Sequence, residues 1–183
     1  MKNKFLFAFT AVLSFFGKEL IAQTDNHTIG ITIPAVTMIG IAPSASKNLT
    51  MNFTAPTTAG EPIVAPANNS TLYLQYSSIL TGPATTRKIS VKTSALINGV
   101  NISVTAANPT ATNLLGQGGT GSNVPALAVT DTPLISGITS CATGILATDG
   151  SNITYSLNTG TASNYANLRS GTTSVTITYT LSD

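Results

Sequence analysis

Residues 174–181 read SVTITYTL and residues 29–41 read IGITIPAVTMIGI, and these two stretches decide the fold class. In the first, Val175, Ile177, Tyr179 and Leu181 alternate with Ser174, Thr176, Thr178 and Thr180. Successive side chains of a β-strand point to opposite faces, so this spacing predicts a strand with one face for a core and one for water. In the second, Ile29, Ile31, Ile33, Ile39 and Ile41 share the odd positions with Ala35 and Thr37. That predicts another long strand. Pro34 has no N–H to give to a ladder, which assigns the strand to a sheet edge or to a break between two strands.

Between these ends, short alternating runs predict strands over residues 49–54, 71–79, 88–93, 100–106, 126–130 and 152–158. Connectors rich in Pro, Gly and Asn separate them, the longest over residues 55–69 and 108–125. The vocabulary is Thr, Ser, Ala, Asn, Gly, Val and Ile with few Lys and Glu, poor in helix formers and rich in β-branched and turn residues. No stretch carries a sustained helical stripe. The expected fold is all-β, a single antiparallel β-sandwich of Ig-like or pilin-like type with its N- and C-terminal strands in the sheets.

The start of the chain reads as an export signal. Lys2 and Lys4 precede an apolar run over residues 5–16 (FLFAFTAVLSFF), and Ala22 offers a small residue for cleavage. The run falls short of the roughly 20 apolar residues a spanning helix needs, and Gly17, Lys18 and Glu19 end it. The expectation is a signal peptide over residues 1–22, one sandwich domain over residues 23–183, export to the cell surface, medium or periplasm, and no membrane insertion once the signal is removed.

Removing that segment changes the charge. The formal net charge of the whole chain is +2. What remains is Lys47, Arg87, Lys88, Lys92 and Arg169 against Asp25, Glu61, Asp131, Asp149 and Asp183, which balance. Without a basic stripe, nucleic acid is not an expected partner. The lone Cys141 cannot form an intrachain bridge and is expected as a small buried hydrophobe, so packing and strand pairing must hold the fold.

Catalytic arrangements are hard to assemble from this inventory. His27 is the single histidine and lies beside Asp25 near the expected mature N-terminus, where chains are usually mobile. Paired carboxylates would have to come from Glu61, Asp131 and Asp149, all in expected loops. Residues 116–121 (GQGGTG) match G-x-G-x-x-G, but Val124 and Pro125 follow instead of a helix, which makes a flexible surface loop the expectation. Residues 149–152 (DGSN) read as a turn and lack the rest of a calcium loop. The expectation is a protein that is not an enzyme, with no catalytic residues, no cofactor and no metal.

Two other binding chemistries have weak support. Trp is absent, and of the tyrosines Tyr155 and Tyr179 are expected to face the core while Tyr73 and Tyr76 point to opposite faces, so few rings are left for a sugar platform. Seven N-x-S/T sequons, at Asn26, Asn48, Asn52, Asn68, Asn69, Asn101 and Asn152, follow from the abundance of Asn, Ser and Thr.

An expected signal ending in Ala22-Gln23, an opening HTIGITIPAVTMIGI (residues 27–41) and a closing SVTITYTLSD (residues 174–183) resemble small secreted β-sandwich proteins of Bacteroidota. The closing strand is also similar to those of spore-coat-U-like and archaic chaperone–usher pilin subunits. That resemblance implies an incomplete sandwich completed by a neighbour's N-terminal strand. Ile29, Ile31, Ile33, Ile39 and Ile41 would then form a donor strand, and Val175, Ile177, Tyr179 and Leu181 would line the receiving core. Such head-to-tail self-association does not close and gives filaments. The same isoleucines could equally form the first strand of a self-complete monomer. The expected function is a structural or adhesive role at the cell surface, with a second copy or another surface protein as partner. The alternative is a monomeric binding module that takes a glycan or surface ligand through the 55–69 and 108–125 loops.

Overall fold

The computed structural model describes residues 23–82, 85–110 and 112–183, so the signal-peptide reading of residues 1–22 lies outside the described residues. The chain divides into two units, Met1–Thr32 and Ile33–Asp183. In the first, residues 23–32 are exposed throughout and form no strand.

The second unit carries eleven strands among the described residues: β1 (Val36–Ala42), β2 (Asn69–Ile79), β3 (Arg87–Thr93), β4 (Asn101–Ala106), β5 (Leu115–Gly116), β6 (Thr120–Gly121), β7 (Asn123–Val124), β8 (Thr132–Ile138), β9 (Cys141–Ala142), β10 (Ser151–Asn158) and β11 (Ile177–Ser182). A four-residue helix, α1 (Ala162–Tyr165), interrupts them. All pairings are antiparallel, and they build two sheets of an all-β sandwich.

The smaller sheet runs β11-β3-β8-β6. The larger runs β5-β9-β2-β10-β4-β7, with β1 also on β2. Along β2, β1 pairs with residues 73–79, β10 with 69–74 and β9 with 77–78. Because β1 shares residues 73–74 with β10 and 77–78 with β9, it must lie on the opposite edge of β2 from both. It is therefore an edge strand.

Period-two burial is clearest in β2, where Leu72, Leu74, Tyr76 and Ser78 are buried and Tyr73, Gln75 and Ser77 are half-buried. The inward faces of β2, β3, β4, β8 and β10 meet in one cluster whose fully enclosed members include Leu74, Ile89, Leu134, Ile135, Ile138 and Ile153. Each such side chain contributes about 1.5–3 kcal/mol by leaving water. Cys141 belongs to this cluster, and burial pushes its thiol up from the ordinary value.

Four expectations are corrected. The strand predicted over residues 29–41 is paired only from Val36 onward; beyond Pro34 the residues before it join no ladder. Residues 49–54 keep the alternation, with Leu49, Met51 and Phe53 half-buried, but only Thr54 pairs, in an isolated bridge to Val64. Residues 126–130 form no strand, whereas β8 forms where no alternation predicts one. Its two-residue rhythm is broken, since the neighbours Leu134 and Ile135 are both fully buried where the register with β3 slips. Lastly, the 108–125 connector is not a free loop. It holds β5, β6 and β7 and passes from the larger sheet to the smaller and back. Its glycines serve close packing: a Cβ on Gly119, whose φ is 86°, would sit 2.6 Å from the Ser136 carbonyl oxygen, and one on Gly121 would overlap the Ala106 carbonyl.

Candidate functional site

The register fixes which way β1 and β11 face. Residues directly opposite in a ladder share a face. Thr37, Ile39 and Ile41 lie opposite Ser78, Tyr76 and Leu74, all buried, so the odd positions of β1 face the core. By the same rule Ile177, Tyr179 and Leu181, opposite Thr93, Val91 and Ile89, form the core face of β11.

These core-facing residues are not equally covered. Leu181 is buried, but Ile177, Tyr179 and Ile41 are half-buried and Ile39 is 36% exposed. Val175, just before β11, is also half-buried. Leu49 and Met51 pack against the same cluster, again half-covered. β1 and β11 approach one another, each the outermost strand of its sheet. Among the described residues neither has a second ladder partner, and residues 47–53 have none at all. The result is a seam along one side of the sandwich, where apolar side chains and unpaired backbone groups meet water together.

Arg87 closes one end of this seam. It is buried at 7% exposure, its Nε donates to Asp183 Oδ1 at 2.8 Å, and its Nη1 donates to the Val36 carbonyl and to Ser78 Oγ at 3.2 Å. One guanidinium thus ties the first residue of β1, the core face of β2 and the residue after β11. The planar, five-donor head of arginine allows three partners that lie in different directions. Nothing in the sequence marked it, because a single basic residue at a strand start reads as a solvated charge.

Two phenol groups sit deeper. Tyr155 and Tyr179 share a hydrogen bond through their hydroxyls across the gap between β10 and β11. Burial raises both above the ordinary tyrosine range, and for Tyr179 the neighbouring Tyr155 adds to the effect. Tyr76 donates to the Gly118 carbonyl at 2.5 Å, lies 3.3 Å from Ser151 Oγ, and is pushed up to about 12, mainly by burial. With such values these groups stay neutral at ordinary pH and act as fixed hydrogen-bonding posts.

The titratable side chains singled out in the sequence are scattered. Asp131 pairs with Lys92 at 3.2 Å on the surface, and Glu61 is exposed. Asp149 is buried at 5% exposure, accepts from Asn113 Nδ2 at 2.9 Å and the Leu146 N–H at 2.8 Å, and so holds a turn closed. Among the described residues no three His, Cys, Asp or Glu side chains gather in a metal-binding group.

The donor-strand candidates contrast with the seam. Ile29, Ile31 and Ile33 are 70%, 82% and 74% exposed and belong to no ladder. Ile39 and Ile41, assigned to the same donor strand from the sequence, sit instead in β1 on the seam itself. No protein family matches the chain, and neither a curated protein nor a solved structure is similar enough to it to bear on its function.

Proposed function

We propose that the protein is an exported, non-catalytic structural or adhesive subunit of the cell surface, which self-associates head to tail as residues 28–33 of one copy enter the β1–β11 seam of the next. The observation that carries this reading is a pair of unmet needs on one chain. Ile29, Ile31 and Ile33 alternate on one face and are at least 70% exposed, while the core faces of β1 and β11 lack full cover. Strand addition would meet both, since backbone hydrogen bonds supply affinity and alternating side chains supply register. Each isoleucine taken out of water is worth about 1.5–3 kcal/mol, before the cost of ordering the segment. Because donor and acceptor are different surfaces, the contact leaves a free donor and a free seam at the two ends of any oligomer, and a filament follows.

The test is the assembly state of the purified protein by light scattering and negative-stain microscopy, with and without a synthetic peptide of residues 28–35. Filaments or ladders of oligomers that Ile31→Asp abolishes, and that excess peptide shortens, are expected. A stable monomer that neither binds the peptide nor changes with Ile31→Asp would overturn the reading.

A further inference from the structure

A second feature lies on neither of the long connectors. β3 and β4 are joined by residues 94–100, which end in a tight turn: the Val100 N–H donates to the Ile97 carbonyl at 3.0 Å, with Asn98 and Gly99 between. Gly99 has φ 79°, as the third position of a type II turn requires. The turn packs onto the segment around α1, since a Cβ on Gly99 would lie 2.7 Å from the Asn164 carbonyl oxygen and 2.8 Å from Leu168. Between turn and helix is a cleft of about 230 Å³, floored by Ile102 and Leu127 and walled by Leu96, Asn98, Asn101, Asn164 and Asn167.

The lining and the volume of this cleft select a ligand. Among the described residues no ionisable side chain lines it, so none of them favours a charged ligand. Its polar side chains are four carboxamides and the Thr93 hydroxyl, which donates to the Ala95 carbonyl; each carboxamide has two donors and an acceptor, a match for hydroxyls that both give and receive hydrogen bonds. Asn98, Asn101 and Asn164 line it and form no side-chain hydrogen bond with the protein among the described residues, whereas Asn167 donates to the Ser163 carbonyl. Leu96, 67% exposed at the rim, and the aliphatic floor offer a surface for C–H groups. The volume is below the roughly 300 Å³ at which drug-sized pockets begin, which suits one ring and not a chain.

We infer that this cleft is a binding site for a single neutral sugar ring, held by the carboxamides of Asn98, Asn101 and Asn164 over an aliphatic floor. With no aromatic platform, one site is weak, with a Kd on the order of 1 mM. Copies repeated along an assembly would raise the avidity for a glycan-bearing surface without any new contact. The site itself does not depend on assembly.

The experiment is an NMR titration of the isotope-labelled full chain, carrying Ile31→Asp to hold it monomeric, with methyl α-mannoside, methyl β-galactoside, methyl β-glucoside and N-acetylglucosamine in turn, and with sialic acid as a charged control. Saturable shifts of the Asn98, Asn101 and Asn164 side-chain amides with at least one neutral sugar, and none with sialic acid, are expected. Asn98→Ala and Leu96→Gln alter exposed positions, and each should weaken binding at least about fivefold while leaving the rest of the spectrum unchanged. Absence of shifts with all four neutral sugars, shifts elsewhere on the molecule, or affinity unaltered in both variants would overturn the assignment. Failure of the filament test leaves this titration untouched, so the two readings fall separately.

Discussion

Residues 29–33 and β11 carry the same message in sequence and opposite fates in structure. Both alternate a large apolar side chain with a small or polar one. In β11 the apolar face meets the core, and Leu181 is buried opposite Ile89. In residues 29–33 the isoleucines are exposed and the backbone has no ladder partner. Periodicity therefore reports that a strand has a face to bury, and it is silent on whose core receives it.

The comparison can be broken most sharply by truncating one residue in each region. Leu181→Ala removes atoms from a packed face and is expected to lower folding stability by about 2–5 kcal/mol. Ile31→Ala removes a side chain that contacts little within the monomer and is expected to change stability by no more than about 0.5 kcal/mol. Its effect belongs in assembly, where light scattering should register the loss. Equal destabilisation of the monomer by both variants, read from urea unfolding, would mean that residues 29–33 are packed against their own sandwich.

Arg87 ties β1 to the end of β11, holding the first residue of β1 on one side and Asp183 on the other. Arg87→Ala leaves the Val36 carbonyl and Ser78 Oγ without their donor and should cost about 1–3 kcal/mol. Asp183 is 80% exposed, so Asp183→Ala gives up a largely hydrated partner and should cost only about 1 kcal/mol or less. Reversal of that order in urea unfolding would show that the ion pair, and not the neutral acceptors, makes Arg87 worth burying.

The sequence was legible where one rule acted alone. In β2, β10 and β11, alternation over six or more residues fixed both the strand and its inward face, and Tyr155 and Tyr179 point where the pattern puts them. β8 escaped because a bulge buries two consecutive residues and Pro133 stands inside the strand. β5, β6 and β7 are two residues each, and their place depends on glycines letting distant backbones approach, a tertiary fact that no local pattern encodes. The same applies to the seam. Ile39, Ile41, Val175, Ile177, Tyr179 and Leu181 are legible from the ends of the chain, but their partial cover is a property of two edge strands from different sheets, and the cleft beside α1 joins segments more than sixty positions apart.

A last difference distinguishes the regions by proton instead of by packing. Residues 23–35 contain no phenol, whereas the core side of the sandwich holds Tyr76, Tyr155 and Tyr179, all raised by burial. In the unfolded chain such groups lose their protons near pH 10.0, while in the fold Tyr76 keeps its proton to about 12 and Tyr179 holds on longer still. Over that interval the folded state binds more protons than the unfolded state, so stability is fully present below pH 10 and declines as pH rises. Each retained phenol proton sets a limiting slope of about 1.4 kcal/mol per pH unit. Urea unfolding followed across this range should therefore show a falling stability that Tyr179→Phe makes shallower and Ile31→Ala leaves alone. A flat profile in the parent protein would mean that the Tyr155–Tyr179 bridge admits water, and that the seam is open deeper than the side-chain exposures indicate.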